Sequence, residues 1–380
     1  MARPVLRTWL CDFLGIEYPI MLAGMGTLTG KICTPPELVA AVSEAGGIGV
    51  LGTTSMTPDV LTENIREIRR LTSRPFGVDM LLPERVAKDA MSVRSQARAQ
   101  IRERYPKHWA FMQSMRKELN LPDAVVGDEK AINVASTQMA LAEVCFREKI
   151  DLFAAALGAP DWLAPRARAQ GMKVLALAGN VRHAVRHRKA GVDFVVATGT
   201  EAGGHTGKVA TMPLVPQVVD AVSPLPVVAG GGIGDGRQMA AALALGAVGV
   251  WVGTAFLVSE ESQIGDRAKD LLIAAESGDV DTHTLYTGKS MRGLKNRVTD
   301  AWLASGLEAM PLPFQKVMMD DFQLSAHLAG QIEFEANPGG QITGMLKQRK
   351  PAAAIVRDMV ELANETIGRL DGLRGIAKHS

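Results

Sequence analysis

The stretch PVVAGGGIGDGRQMAAALALGAVGVWVGTAF, residues 226–256, contains a complete strand, turn, helix and second strand. The runs PVVAGGG (226–232) and VGVWVG (248–253) are short, rich in Val and bounded by Gly or Pro, as expected of strands buried on both faces. Between them GRQMAAALALG has helical spacing and closes on the glycine expected just past a helix end. Strands joined through a helix lie parallel, so the unit belongs to an α/β architecture.

The same unit recurs upstream. PIMLAG (19–24), GIGVLG (47–52), PFGVDM (75–80), IDLFAAA (150–156), KVLALAG (173–179) and VDFVVAT (192–198) bring the strand count to eight. Helical segments such as PELVAAVSEAG, DVLTENIREIRRLT, DWLAPRARAQG and VRHAVRHRKAG lie between them. Eight strands alternating with helices, without strict in-out alternation, predict a closed parallel (β/α)8 TIM barrel. An open doubly wound sheet alternates too. The strand count, and glycines clustered at the ends of strands 1, 6, 7 and 8, favour the barrel.

Two regions interrupt this rhythm. Residues 84–135 read as a charged helical insertion after strand 3, on the face where barrel active sites lie, and suit a lid. The expected division is a barrel over 1–262, a mostly helical substrate or lid region over 263–334, and a segment over 335–380 whose amphipathic AAAIVRDMVELANETIGRL packs back on the barrel.

Composition limits the function classes. A formal net charge of +2 over 380 residues gives no field to attract nucleic acid, and aromatic residues are too sparse for a base-stacking platform. The 3 cysteines, Cys11, Cys33 and Cys145, are too far apart for a disulfide framework or a zinc-ligand spacing. The start, MARPVLRTWLCDFLG, has no export signal, and GAVGVWVGTAFLV is too short and glycine-broken to span a bilayer. The expected setting is a reducing cytoplasm, with a small-molecule substrate, no metal, and a homodimer as one possible assembly.

The glycine loops carry the chemistry. AGGGIGDG after strand 7 and VGTAF after strand 8 stand where barrels often hold a phosphate: Gly230, Gly231, Gly232 and Gly253 offer backbone N–H groups and Thr254 a hydroxyl. GIGVLG matches G-x-G-x-x-G formally, yet a helix precedes it and its glycines lie within the strand, which excludes a dinucleotide fingerprint. His183 and His187 are spaced i, i+4, but Ala184 stands where a zincin requires Glu; with Arg182, Arg186, Arg188 and Lys189 beside them they read as a solvated basic face. His205 sits in GTEAGGHTG after strand 6, at the same rim as the phosphate loops. Gly203 and Gly204 permit close contact with a flat ligand, and an imidazole there can move a proton.

IMLAGMG, EAGGIGVLG, TEAGGHTG, VVAGGGIGDGRQMAAALALGA, VGTAFLVSEES and the late GGQITG together resemble the nitronate monooxygenase family, formerly 2-nitropropane dioxygenases, a pattern shared with flavin-dependent enoyl-ACP reductases. The resemblance implies FMN bound non-covalently at the barrel mouth. Gly231, Gly232, Gly253 and Thr254 would hold its phosphate. Its ring would lie against Ala23, Gly24 and Met25 and near Gly203 and Gly204, with Asp79 and Gln341 as further contacts. His205 falls on the family's catalytic histidine. Asp79 departs from the Asn often found there. Tyr105, Trp109 and Phe111 of the insertion are as well explained by helix packing as by the substrate entrance, and are not counted in the site.

Three functions follow. The first is oxidation of alkyl nitronates by dioxygen through FMN to a carbonyl compound and nitrite, with His205 deprotonating a nitroalkane or stabilising the anion. The second is an NAD(P)H-dependent FMN reductase acting on an enoyl thioester or a quinone, and the third a flavin-binding module without turnover. No cysteine follows strand 6, which demotes an IMP-dehydrogenase-like mechanism, and no arginine accompanies His205 in its loop as in α-hydroxy-acid oxidases.

Overall fold

Parallel strands at Ile20–Leu22, Gly49–Gly52, Phe76–Leu81, Leu152–Ala156, Lys173–Ala178, Phe194–Thr198, Val227–Gly230 and Val250–Val252 make one sheet, and are barrel strands 1 to 8 below. This is a computed structural model, which describes residues 6–28, 31–82, 93–128 and 135–373. Strand 1 pairs with strand 8, and the order runs back through strand 7 to strand 2. A parallel bridge between Met21 and Ile48 closes the ring: the Leu22 N–H donates to the Ile48 carbonyl at 2.9 Å and the Ile48 N–H to the Ile20 carbonyl at 3.0 Å. The open sheet is excluded and the (β/α)8 barrel is the fold.

The near-continuous apolar character of the strands has its cause in two cores. Met21, Ile48, Val50, Leu152, Leu175, Phe194, Val196 and Trp251 fill the barrel interior. Ile20, Leu22, Leu51, Val78, Phe153, Val195 and Val250 point outward beneath the helices. A helix the sequence did not announce, Trp9–Leu14, stops the lower end of the barrel: Leu10, Cys11 and Leu14 are buried against the interior cluster. Trp9 stacks on Phe13, and both meet Phe194 edge-on.

The two decoys resolve differently. GIGVLG is a strand preceded by the helix Pro36–Glu44, and a Cβ on Gly49 would run into the Val39 carbonyl, so its glycines serve helix-on-strand packing. The solvated basic face needs correction. On the helix Val181–Lys189, His183 is exposed, but His187 is buried and its Nε2 donates to the Leu177 carbonyl at 3.1 Å. Helical period puts His187 on the same inward side as Ala184, and the surrounding arginines hid that in the sequence.

The terminal helix Ala352–Asp371 returns to the barrel, burying Val356, Met359, Val360 and Ala363 in the outer core. The insertion does something the sequence did not indicate. Its helices Arg94–Arg104 and Pro106–Glu118 share a separate core with Arg297–Ser305 and Phe314–Leu328, built on Ile101, Met112, Trp302, Val317 and Phe322. Residues 83–92 and 129–134 of that stretch lie outside the described residues. Tyr105 packs on Phe314 with ring centroids 5.5 Å apart, and Phe111 on Trp302 at 5.7 Å, so these aromatics belong to the second core.

Buried charge ties the two parts of that core together. Asp321 accepts two bonds from Arg98, at 2.6 and 2.9 Å, and the Val126 N–H at 2.9 Å; Arg94 donates to Asp320 at 3.0 Å. Arg98 and Asp321 are both buried, so removing the carboxylate strands a guanidinium. Asp321→Ala is expected to destabilise the second core by about 3–5 kcal/mol, and to open 93–128 to protease before the barrel unfolds. Urea unfolding and limited proteolysis measure this; a loss under about 1 kcal/mol, the worth of an exposed pair, would mean the pair does not anchor the insertion.

Candidate functional site

At the C-terminal ends of the strands the connecting loops press together. A Cβ on Gly203 would stand 2.8 Å from the Gly339 carbonyl carbon and from the Gly340 nitrogen, so two main chains touch where any larger residue would separate them. Hydrogen bonds fasten the same contact. The Gln341 N–H donates to the Glu201 carbonyl at 2.9 Å, and the Gly340 N–H to Thr254 Oγ1 at 3.0 Å. The Glu201 carboxylate accepts the Thr211 N–H, and Thr211 Oγ1 lies 2.9 Å from the Gly231 carbonyl oxygen. Loops after strands 6, 7 and 8 and the late GGQITG segment are thereby one unit.

Gly231 and Gly232 hold successive left-handed φ values of +88° and +71°, which turns their N–H groups off the strand axis. Among the described residues no acceptor takes the N–H of Gly231, Gly232 or Gly253. The helix Gly236–Ala244 is different. Asp235 caps it, accepting the Arg237 N–H, while the Gln238 side chain accepts the Asp235 N–H, so part of its first turn is already satisfied. The glycine turns thus offer free donors at this rim, and Thr254 begins the short helix Thr254–Leu257 beside them. A cavity of about 270 Å³ opens beside Gly231 and Gly232, walled by Glu201, Thr211, Gln341 and Ile342.

Ala23, Gly24 and Met25 lead out of strand 1 beside strand 8: the Ala23 N–H donates to the Val252 carbonyl at 2.8 Å. Gly24 lies flush on Asp79, where a Cβ would sit 2.9 Å from Oδ2. Asp79 points inward from strand 3, is 8% exposed, and its Oδ1 has no partner among the described residues. Burial pushes its carboxyl up to about 8. Thr198, inward at the top of strand 6, is a second case: its Oγ1 is buried without a partner. Leaving a buried polar atom unpaired costs about 1–3 kcal/mol, and two of them at one mouth suit a ligand with polar edges.

His205 is held from outside the barrel. Gly204–His205 pairs antiparallel with Met291–Leu294, which in turn pairs with Val280–His283. The buried Arg292 donates to the Thr200 carbonyl at 3.0 Å and to the Val280 carbonyl at 3.3 Å, fixing the loop from behind. His205 Nε2 lies 3.0 Å from Thr287 Oγ1, which also accepts the Lys289 N–H at 3.3 Å. His205 is exposed at the rim, although protein atoms are dense around its ring. That desolvation, with the charges of Lys289 and Lys316, lowers its pKa to about 4, so the imidazole is neutral at pH 7. Lys316 is paired with Asp320 at 2.7 Å.

All the residues read from the sequence as site residues, His205 with Ala23, Gly24, Met25, Asp79, Gly203, Gly204, Gly230, Gly231, Gly232, Gly253, Thr254 and Gln341, stand at this one end of the barrel. Thr198, Thr287, Lys289 and Arg292 were missed. Only the basic pair in TGKSMRG gave any signal for them. The three cysteines are buried and free, with Cys33 pushed up to about 12 by burial. Among the described residues no His, Cys, Asp or Glu cluster is arranged for a metal, and no helix is long and apolar enough to cross a membrane.

The family model described as nitronate monooxygenase matches residues 7–362. The Mycobacterium tuberculosis protein Rv1533, named as a monooxygenase, is 40% identical over 97% of this chain and 99% of its own length. A Staphylococcus aureus protein named as a nitronate monooxygenase is 32% identical over 94% of this chain and 97% of its own. Among solved structures, nitroalkane oxidase from Streptomyces ansochromogenes superposes with a TM-score of 0.79 at 28% identity, covering 95% of this chain and 99% of that one. FabK from Thermotoga maritima superposes with a TM-score of 0.73 at 30% identity, covering 97% and 99%.

The electrostatics of His205 give a direct test. Lys289→Met removes a positive charge that disfavours the imidazolium, so the His205 midpoint should move up from about 4 toward 6.5. NMR titration of the ring protons reads this, and an unmoved midpoint would leave desolvation and Lys316 as the causes.

Proposed function

The chain belongs to the nitronate monooxygenase family and is an oxidoreductase, and from that premise we propose that it oxidises alkyl nitronates with dioxygen to a carbonyl compound and nitrite, using non-covalently bound FMN. The residues present fit that cofactor. Free N–H groups at Gly231, Gly232 and Gly253, with the Thr254 hydroxyl beside them and Gly230 leading in, suit a phosphate dianion. The flat backbone at Ala23, Gly24, Met25, Gly203 and Gly204 suits an aromatic ring system, and the unpartnered Asp79 Oδ1 suits its polar edge, with Gln341 alongside. Bound there, FMN supplies a reversible store of electrons between substrate and dioxygen.

The observation that carries this reading is the neutral imidazole set among lysines. A histidine with a pKa of about 4 is a poor proton acceptor at pH 7 but serves well as a hydrogen-bonding group. The positive charge of Lys289, with Lys316 held in its pair with Asp320 behind it, favours a substrate that arrives as an anion, which a nitronate is and a nitroalkane is not. Of the two roles considered for His205, holding the anion is therefore the one supported. Thr287 sets the tilt of the ring, and Arg292 sets the loop that carries it.

The likeness to FabK favours a second reading, an NAD(P)H-dependent FMN reductase acting on an enoyl thioester or a quinone. Anaerobic flavin reduction with ethyl nitronate, nitroethane, NADH and NADPH separates the two. Ethyl nitronate is expected to bleach the flavin fastest and nitroethane far more slowly. NADH or NADPH as the fastest reductant would transfer the assignment to the reductase.

A further inference from the structure

Asp79 is placed where a carboxylate has nothing to live on. In the sheet its cross-strand neighbours are Gly52 and Ala154, and Gly24 covers it from the strand 1 loop. None of these is polar in its side chain. The Thr53 N–H and hydroxyl, the nearest donors along strand 2, go to the Asp79 main-chain carbonyl at 3.1 and 3.0 Å, not to its carboxyl. Desolvation is the sole influence on its ionisation, so among the described residues no charged group faces it. Yet the side chain points into the mouth with Oδ1 unpartnered, on the same inner wall as the orphan hydroxyl of Thr198.

We propose that Asp79 is a neutral hydrogen-bond donor to the flavin ring edge, so that FMN binding is coupled to one proton held on this carboxyl. The proposal rests on the flavin reading above and adds to it the protonation state of the contact. A flavin edge presents carbonyl and imine lone pairs with one N–H between the carbonyls; a carboxylic acid can donate to the lone pairs, whereas a carboxylate can only accept from that N–H and repels the lone pairs beside it. Ionisation releases the proton to solvent, leaves the charge in a site without counter-charge, and removes the donor. An Asn at this position donates at every pH and therefore copies the protonated acid.

Two readouts other than turnover test this. In flavin titrations of apoprotein followed by FMN fluorescence, wild-type affinity should be level in neutral solution and weaken at the alkaline end by about tenfold per pH unit, the slope of one linked proton. Asp79→Asn should be level throughout and bind more tightly than wild type at the alkaline end. In apoprotein unfolding, an acid whose folded pKa lies above its unfolded value loses stability as pH rises from about 4 to about 8. Asp79→Asn should remove that slope.

A wild type and Asn variant that lose affinity in parallel would overturn the proposal, as would a level wild-type profile. Should the Asn variant fail to fold, calorimetry of wild type with FMN at alkaline pH in two buffers of different ionisation enthalpy decides: uptake of about one proton per site supports the coupling, and none overturns it. Failure to bind FMN at any pH would instead remove the flavin reading itself.

Discussion

Main chain against main chain at the mouth of the barrel is the contact on which the rest depends. Gly203 touches Gly339 and Gly340, and the Glu201 carbonyl and Thr254 hydroxyl each take an N–H from that late segment. Glu201 and Gly203 are thus locked by main chain alone to residues more than a hundred positions away, and the Thr254 hydroxyl adds a third tie. This is why the GTEAGGHTG loop gives up so much backbone order. Its glycines let several loops share one small volume, and that sharing brings free N–H donors, a flat floor and an imidazole to one place.

The imidazole shows how two bodies cooperate in the site. The barrel supplies the loop that bears His205, while outside it the strand Met291–Leu294 supplies the pairing partner, the turn before that strand supplies Thr287 and Lys289, and the helix Phe314–Leu328 supplies Lys316. Lys316 lies on the helix that also carries Asp320 and Asp321, the acids that anchor the insertion through Arg94 and Arg98. The charge environment around His205 is therefore set partly by a segment that enters the chain between strands 3 and 4.

What was legible in the sequence was whatever has a local cause. Burial on both faces writes Val-rich runs, and all eight barrel strands stand where those runs occur; turns that must admit a ligand write glycines. The remainder depends on distance in the chain. Nothing near Arg98 forecasts a partner at Asp321, and the second core joins helices that alone read as a charged insertion and a mixed tail. Thr198 and Thr287 are ordinary residues until the fold leaves one hydroxyl unpartnered and puts the other beside His205. His187 fell to the opposite failing, since a run of arginines masked the one position in four that turns inward. Asp79 was visible as a departure, but its uncharged state emerges only from neighbours that offer no charge.

The short helix Trp9–Leu14 has a consequence for traffic. With Leu10, Cys11 and Leu14 covering the lower end and apolar side chains packing the interior, the barrel is solid from its base to the loops at its mouth. Anything held by the glycine turns therefore meets solvent on the loop side of the barrel and not along its axis.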